Sequence, residues 1–397
     1  MLRIYLDHNA TTPVHPAVLE AMLPYLAAEF GNPSSAHRFG QRASQAIEGA
    51  RESVAALVGA RASEIVFTSG GTEADNTAIF GVVGHALRKQ GKSAGAPLHL
   101  ITTAIEHDAI LNACRALEGR GVSVTYVPAG RDGIVSLEAI RAAIRPETVL
   151  ISVMHANNEI GTLQPVEEIG AVASQADIFF HTDAVQSAGK VPIDVNRLGL
   201  DLLSLSAHKF GGPKGAGALF IKRGVEIDSL LYGGQNERGR RAGTENVAAI
   251  AGLGKACELV RADLAEASAR ISQLRDRLEN GLLARVPGAR VNGDSARRVP
   301  NTSNLMFPGA ESESLIIALD LAGLACSAGA ACSSGAVEPS HVLTAVGLSP
   351  EEARTSIRLS LGRTTTREEI DSALELISAA VACQRSVEPR REVAAAP

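Results

Sequence analysis

Residues Ser204 to Gly217 read SLSAHKFGGPKGAG. An apolar run ends there in Ser206, His208 and Lys209, and a glycine-rich turn follows. Glycine lets the backbone turn tightly and approach a ligand closely. A lysine at the mouth of a buried site can lose its proton and form a Schiff base. Alone at a strand end, it is ordinarily a surface group. Thr68 to Asn76 (TSGGTEADN) follows a second strand-like run and opens a helical one. That geometry offers free backbone N–H groups and a positive dipole end to an anion. Gly70 and Gly71 allow close approach and Thr72 adds a hydroxyl, although a plain turn capped by Thr has the same residues. The pattern is neither GxGxxG nor GxxxxGK[ST], so it suits a monophosphate. In Phe180 to Gln186 (FHTDAVQ), Asp183 can keep a pyridine nitrogen protonated and Gln186 can reach a ring oxygen, or the acid can cap a turn. Glu106-His107 ends another strand, and the run from His155 to Glu159 ends one more. Loops gathered at one edge of a scaffold are where sites are built. An imine-forming lysine, a phosphate cup and an acid for a ring nitrogen are together the protein-side requirements of pyridoxal phosphate.

Leu324 to Gly335 (LACSAGAACSSG) adds a nucleophile. Cys332 lies among Ala, Ser and Gly with no bulky apolar neighbour, the setting of an accessible thiol that can attack or carry sulfur. Cys326, next to an apolar stretch, reads as core packing, and Cys114, Cys257 and Cys383 lie on helical patterns and read as structural. Arg358 stands inside the apolar run IRLSLGR. A buried arginine needs an anionic partner, here either the α-carboxylate of an amino acid or an internal acid.

The elements that must position these residues alternate. Strand-like runs at Glu64–Thr68, Leu98–Thr103, Val122–Val127, Thr148–Met154, Ile178–Thr182, Leu202–Ser206 and Ala218–Ile221 are interleaved with helical patterns such as Glu73–Lys89, Asp108–Glu118, Leu137–Ile144 and Val166–Gln175. This predicts an α/β fold with a mostly parallel sheet buried on both faces. After Thr244 the texture changes to one or two long helices, and then to short strands at Ser303–Phe307 and Ile357–Leu361 among helices at Ser312–Leu321, His341–Val346 and Arg367–Ala382. The expected division is a large domain over 16–262 and a smaller α+β domain over 263–397 with residues 1–15 added to it. The polar tail after Cys383 is expected to be mobile.

Composition narrows the classes. Across 397 residues, 45% are apolar and 20% charged, which supports a large core and excludes disorder. A net charge of −5 and 3% aromatics with no Trp argue against a nucleic-acid surface. No apolar run reaches the roughly 18 residues of a membrane span, and no secretory leader is read at the N-terminus. Five scattered cysteines suit a reducing cytoplasm better than a disulfide framework, and no metal-ligand spacing is present.

At this point the chain resembles the cysteine desulfurases of the NifS/IscS-like class, fold-type I pyridoxal-phosphate enzymes of the class V aminotransferase family. The resemblance rests on YLDHNATTPVHP, FGNPSSAHRFG, TSGGTEADN, TAIEHDAI, SVMHANNEIGTLQP, FHTDAVQSAGKVPIDV, SLSAHKFGGPKG, ERGRRAGTEN, AACSSGAVEPSHVL and IRLSLGRTTTREEID, and spans nearly the whole chain. It implies a large seven-stranded sheet domain, a homodimer, and transfer of sulfur to acceptors of iron–sulfur cluster assembly or tRNA thiolation. It implies Lys209 as the Schiff-base lysine and Cys332 as the persulfide cysteine. Asp183 would pair with the pyridine nitrogen, Gln186 with the ring hydroxyl oxygen, and His107 would stack on the ring and carry protons. Asn157 would lie beside cofactor and substrate. Gly71, Thr72, Ser206 and His208 would hold the phosphate, Thr244 would reach the phosphate of the neighbouring subunit, and Arg358 would bind the substrate carboxylate. Ala330 and Asn236 stand where the family often has Ser and Gln. A selenocysteine lyase would share the cofactor residues, with Cys332 favouring desulfuration. An inactive assembly scaffold would need none of Lys209, His107, Asp183, Cys332 and Arg358.

Overall fold

The computed structural model describes residues 3–89, 98–328 and 339–387. The chain opens with a short strand, β1 (Ile4–Tyr5), and two helices, α1 (Pro16–Ala27) and α2 (Arg38–Val58), none of them among the elements expected above. In α2 the buried positions include Ala43, Ile47, Ala50, Arg51 and Val54, spaced three and four apart. That is one face of a helix. The face is made of small residues and an arginine, so its apolar stripe is faint. Arg51 is tolerated inside because its Nη1 and Nη2 donate to the two oxygens of Glu237 at 2.7 and 2.8 Å, and its guanidinium lies 4.8 Å from the Phe67 ring centre.

Strands and helices then alternate: β2 (Ile65–Thr68), α3 (Gly71–Lys89), β3 (His99–Thr103), α4 (Asp108–Glu118), β4 (Ser123–Val127), α5 (Leu137–Ala143), β5 (Thr148–Ser152), α6 (Val166–Gln175), β6 (Phe179–Asp183), β7 (Leu202–Ser206) and β8 (Gly217–Ile221). Each expected run coincides with a strand to within a residue or two at its ends. The seven strands form one sheet in the order β2-β8-β7-β6-β5-β3-β4. β8 runs antiparallel to both its neighbours, and the other pairings are parallel. The strands other than β8 therefore all finish at one edge of the sheet. Side chains alternate between two cores, as a period of two demands. Ile101, Phe180, Leu203 and Phe220 enter one core, while Leu100, Leu150, Leu202 and Leu219 enter the other. Burial of both faces explains the near-continuous apolar runs.

The remaining elements are α7 (Val247–Ala262), α8 (Leu264–Arg285), β9 (Arg290–Val291), β10 (Thr302–Met306), α9 (Ser312–Leu321), β11 (Leu324–Ala325), α10 (His341–Ala345), α11 (Pro350–Arg354), β12 (Ser356–Ser360) and α12 (Arg367–Val387). The long helical stretch after Thr244 is two helices, broken at Asp263, whose φ of −133° and ψ of 22° are not helical. An antiparallel sheet β12-β10-β9 and the parallel pair β1-β11 pack on a separate core that includes Leu6, Leu278, Phe307, Leu315 and Leu359. A fully buried Phe307 stabilises that core by about 1.5–3 kcal/mol relative to an exposed one. Helix α12 continues past Cys383 to Val387, and the rest of the expected mobile tail lies outside the described residues.

Candidate active site

Strand β7 ends at Ser206 and the chain makes a short 3-10 turn over Ala207–Lys209. The Nζ of Lys209 donates to the carbonyls of Asn9 at 2.7 Å and Ala10 at 2.9 Å. Burial, reinforced by the charge of Arg358, pushes this ammonium down to about 8. The N-terminal loop straps the turn, since Thr12 donates its N–H to the His208 carbonyl and accepts at Oγ1 from the N–H of Gly211. Asn9 and this strap were quoted in the sequence motif without a role. Local spacing carries no signal for a contact that spans 200 residues.

Strand β6, next to β7, ends at Asp183. Its Oδ1 accepts from the N–H of Val185 at 2.8 Å. Burial raises the carboxyl, and the charges of His107 and Lys209 oppose that rise. Behind it, burial pushes Glu106 up to about 8, and burial with the Asp183 charge raises Asp75. Burial thus raises all three of these neighbouring carboxyls, and His107 and Lys209 are the cationic groups that favour the charged form of Asp183. The amide of Gln186 is oriented from both ends: Nε2 donates to the Asn9 carbonyl at 2.9 Å and Oε1 accepts from Lys190 Nζ at 2.8 Å. Lys190 was not singled out from the sequence. A buried lysine one helical turn after a glutamine was the available signal.

Strand β2 ends at Thr68, and α3 begins at Gly71. The first backbone N–H groups of a helix have no intrahelical acceptor. A Cβ at Gly71 would lie 2.7 Å from Val185 Cγ2, and one at Gly70 would lie 3.8 Å from Ser206 Oγ. The loop after β2, the end of β7 and the turn after β6 thus close round one spot. The pairing of Gly217 with both Thr68 and Ser206 brings β2 and β7 to the same level. His208 Nδ1 is 3.1 Å from Thr11 Oγ1, and burial with the Lys209 charge pushes its imidazole down to about 4, so it is neutral. Thr72 is exposed on the first turn of α3. Thr244 is exposed too, three residues after Arg241, whose Nε pairs with Glu73 of that same turn at 2.8 Å.

His107 caps α4, and its Nδ1 accepts from the Ala109 N–H at 3.1 Å, which puts the ring proton on Nε2. Asn157 is held by its own surroundings. It is fully buried, its Oδ1 accepts from the N–H of Glu159 and Ile160, and its Nδ2 donates to the Ile105 carbonyl. Its amide is thereby engaged in bracing the turn that leads to His107. Arg358 of β12 is buried and pairs with Asp7 Oδ1 at 2.7 Å. Cys332 lies outside the described residues. Cys114 and Cys257 are buried as expected, and Cys326 packs partly against the core of the smaller sheet. Cys383 lies on the helix α12 as expected but is exposed, so burial does not support the structural role read for it.

The residues fit pyridoxal phosphate. A helix N-terminus with a glycine cradle suits the phosphate, an uncommitted Asp183 Oδ2 suits a ring nitrogen, and a depressed lysine suits the carbonyl carbon. Fold and site together define a fold-type I pyridoxal-phosphate enzyme. The family model described as Aminotransferase class-V matches residues 4–373. A cysteine desulfurase IscS of Methanosarcina thermophila is 51% identical over 386 residues, covering 97% of this chain and 94% of the relative. One of Clostridium botulinum is 49% identical over 389 residues, covering 98% and 96%. Among solved structures, a NifS-like protein superposes with a TM-score of 0.89 at 38% identity, covering 96% of this chain and all of its own. A structure described as SspA in complex with cysteine has a TM-score of 0.79 at 40% identity, covering 91% and 100%. The chain belongs to the class V aminotransferase family, in its pyridoxal-phosphate-dependent cysteine desulfurase branch.

Proposed function

We propose that this enzyme takes the sulfur of L-cysteine, releases L-alanine, and receives the sulfur on Cys332 as a persulfide. The exchange balances: the substrate C–S bond breaks, an S–S bond forms, and the thiol proton replaces sulfur on the alanine carbon. The observation that carries the reading is the convergence of Lys209, Asp183, Gln186 and the start of α3 at one sheet edge. When bound, pyridoxal phosphate supplies the electron sink that makes the substrate's α-proton removable.

The chain's own residues do the rest. Asp183 would hold a proton on the ring nitrogen, and Gln186, whose amide is oriented by Lys190 and the Asn9 carbonyl, would reach the ring oxygen. Gly71, Thr72, Ser206 and His208 hold the phosphate. Lys209 would anchor the cofactor, and its depressed amine suits it to take the substrate's α-proton at Nζ. His107 would stack on the ring, and its Nε2, left free by the Ala109 bond at Nδ1, would carry a proton to or from the substrate thiol. Arg358 receives the substrate carboxylate.

The functional unit in this reading is a homodimer, with Thr244 reaching the phosphate of the neighbouring subunit. Exposed Leu19, Leu23 and Leu26 on α1, with Phe30 and Phe39 beyond it, support an apolar interface. Residues 263–397 with 1–15 form the smaller domain, supported by the β1-β11 pairing. The acceptor is a protein of iron–sulfur assembly or tRNA thiolation, in the cytoplasm. Among the described residues no helix is long and apolar enough to cross a membrane.

The test is release of alanine and sulfide from L-cysteine by the loaded enzyme with a thiol reductant. Equal amounts of both establish the reaction. A spectral change on L-cysteine with neither product rejects it, and selenide release from selenocysteine far above sulfide release moves the assignment to a lyase.

A further inference from the structure

The guanidinium of Arg358 has its anion already. Nη2 donates to Asp7 Oδ1 at 2.7 Å and Nη1 to the Asn158 carbonyl at 3.0 Å, while the buried Nε has no partner among the described residues. The arginine side chain is 5% exposed and that of Asp7 is 20% exposed. Among the described residues the Asp7 carboxylate makes no other hydrogen bond. Arg358 does not depend on Asp7 for its place. Its backbone pairs with Asn304 in β10 and exchanges hydrogen bonds with Ser327, and the Asn158 carbonyl holds the far side of the guanidinium.

A carboxylate is gripped best by two parallel N–H donors. Nε and Nη2 form such a fork on Arg358, and Asp7 occupies one prong of it. We propose that Asp7 is a specificity-setting residue: its carboxylate stands in for the substrate's on Arg358, must yield when an amino acid binds, and re-pairs when the product leaves. The proposal rests on the reading of Arg358 as the carboxylate site. Asp7 is the partner that can move, because it is the more exposed of the pair and its carboxylate carries no second bond among the described residues. The charges of both residues are felt at Lys209, so the exchange takes place beside the reacting amine. An amine without a carboxylate gains nothing at Arg358 and leaves the pair closed. Asp7 thereby limits affinity for amino acids in general and hastens release of alanine.

The test is calorimetric binding of L-alanine and of L-alaninamide, which lacks the anionic group, to the holoenzyme. Asp7→Asn removes the competing charge and keeps the shape. L-alanine is expected to bind about tenfold tighter, the scale of one charge-assisted hydrogen bond, with L-alaninamide unchanged. Asp7→Ala, which has no amide to offer Arg358, must tighten L-alanine at least as much. Both effects must vanish when combined with Arg358→Gln. Unchanged or weaker L-alanine binding in both Asp7 variants, with Arg358→Gln weakening it, overturns the role of Asp7 and keeps Arg358 as the clamp. Equal tightening of both ligands also overturns it. L-alanine binding unaffected by Arg358→Gln overturns the carboxylate reading of Arg358 itself.

Discussion

Lys190 Nζ lies 2.8 Å from Gln186 Oε1 and 3.0 Å from Asn9 Oδ1, wholly inside the protein. Burial, and then the charges of Lys209 and Arg358, push this amine far below the ordinary lysine range. Such a group is costly, and its two bonds fix the orientation of the Gln186 amide, which in the proposed reading presents Nε2 to the cofactor. Lys190→Met fills the same volume and removes the donor. Losing an orienting hydrogen bond of this kind costs about 1.5 kcal/mol, so pyridoxal phosphate should bind about tenfold more weakly, with a shifted absorbance band. Titration of the apoenzyme followed by absorbance reads both, and an unchanged affinity and band would dismiss the role.

Lys209 reacts as the neutral amine. With its proton affinity lowered to about 8, the neutral fraction rises with pH and is half complete near that value. Capture of pyridoxal phosphate by the apoenzyme should therefore accelerate from pH 6 upward and level off above about 8, where an unshifted lysine would still be gaining at about 10. Arg358→Gln removes the second cause of the shift and should move the midpoint upward. Stopped-flow absorbance across pH decides it, and a midpoint near 10 in the native protein rejects the assignment of a depressed lysine.

Gly71 tests the phosphate cup. A methyl there meets Val185 Cγ2 at 2.7 Å, closer than such atoms pack, so the first turn of α3 or the Val185 side chain has to move. Gly71→Ala should weaken pyridoxal phosphate by about tenfold, taking a strain of about 1–1.5 kcal/mol. Pyridoxal, which lacks the phosphate, should be little affected. Equal loss for both ligands would place the damage elsewhere than the cup.

Glu237 holds Arg51 with both oxygens and also accepts from the N–H of Phe67. It does so from a left-handed backbone conformation, φ +46°. Glu237→Gln keeps the shape and removes the buried counter-charge, leaving Arg51 only the half-exposed Glu48 at its Nε, 3.0 Å away. The expected cost is about 3–5 kcal/mol in denaturant unfolding. A loss below about 1 kcal/mol would mean that water reaches the pair.

Cys326 and Cys332 separate by environment. Burial and the nearby Asp7 charge push the Cys326 thiol up to about 12, which leaves little thiolate at neutral pH. Cys326→Ser should therefore keep sulfide release, while Cys332→Ser should keep cofactor and L-cysteine binding and lose it. The opposite pattern would exchange their roles.

What the sequence determined by itself was local. The apolar runs had the length and punctuation of buried strands, and the loops after them carried Lys209, Asp183, Gln186 and the TSGGT turn as contiguous motifs. Strand and helix periods are set over a few residues, so these elements and the cofactor they call for were legible. α1 and α2 were not, because α1 leaves Leu19, Leu23 and Leu26 exposed and α2 buries small residues with Arg51. The short strands β1 and β11 were hidden for another reason: two residues have no period, and their partner lies 320 positions away. The tertiary structure alone decided the partners. It set Asp7 on Arg358, Lys190 between Gln186 and Asn9, and Glu237 on Arg51, and it showed the amide of Asn157 to be occupied. Each of these is a buried polar group whose cost of desolvation is met at least in part by a partner distant in the chain. Residue type announces that such a partner is required, and only the folded chain says which residue supplies it.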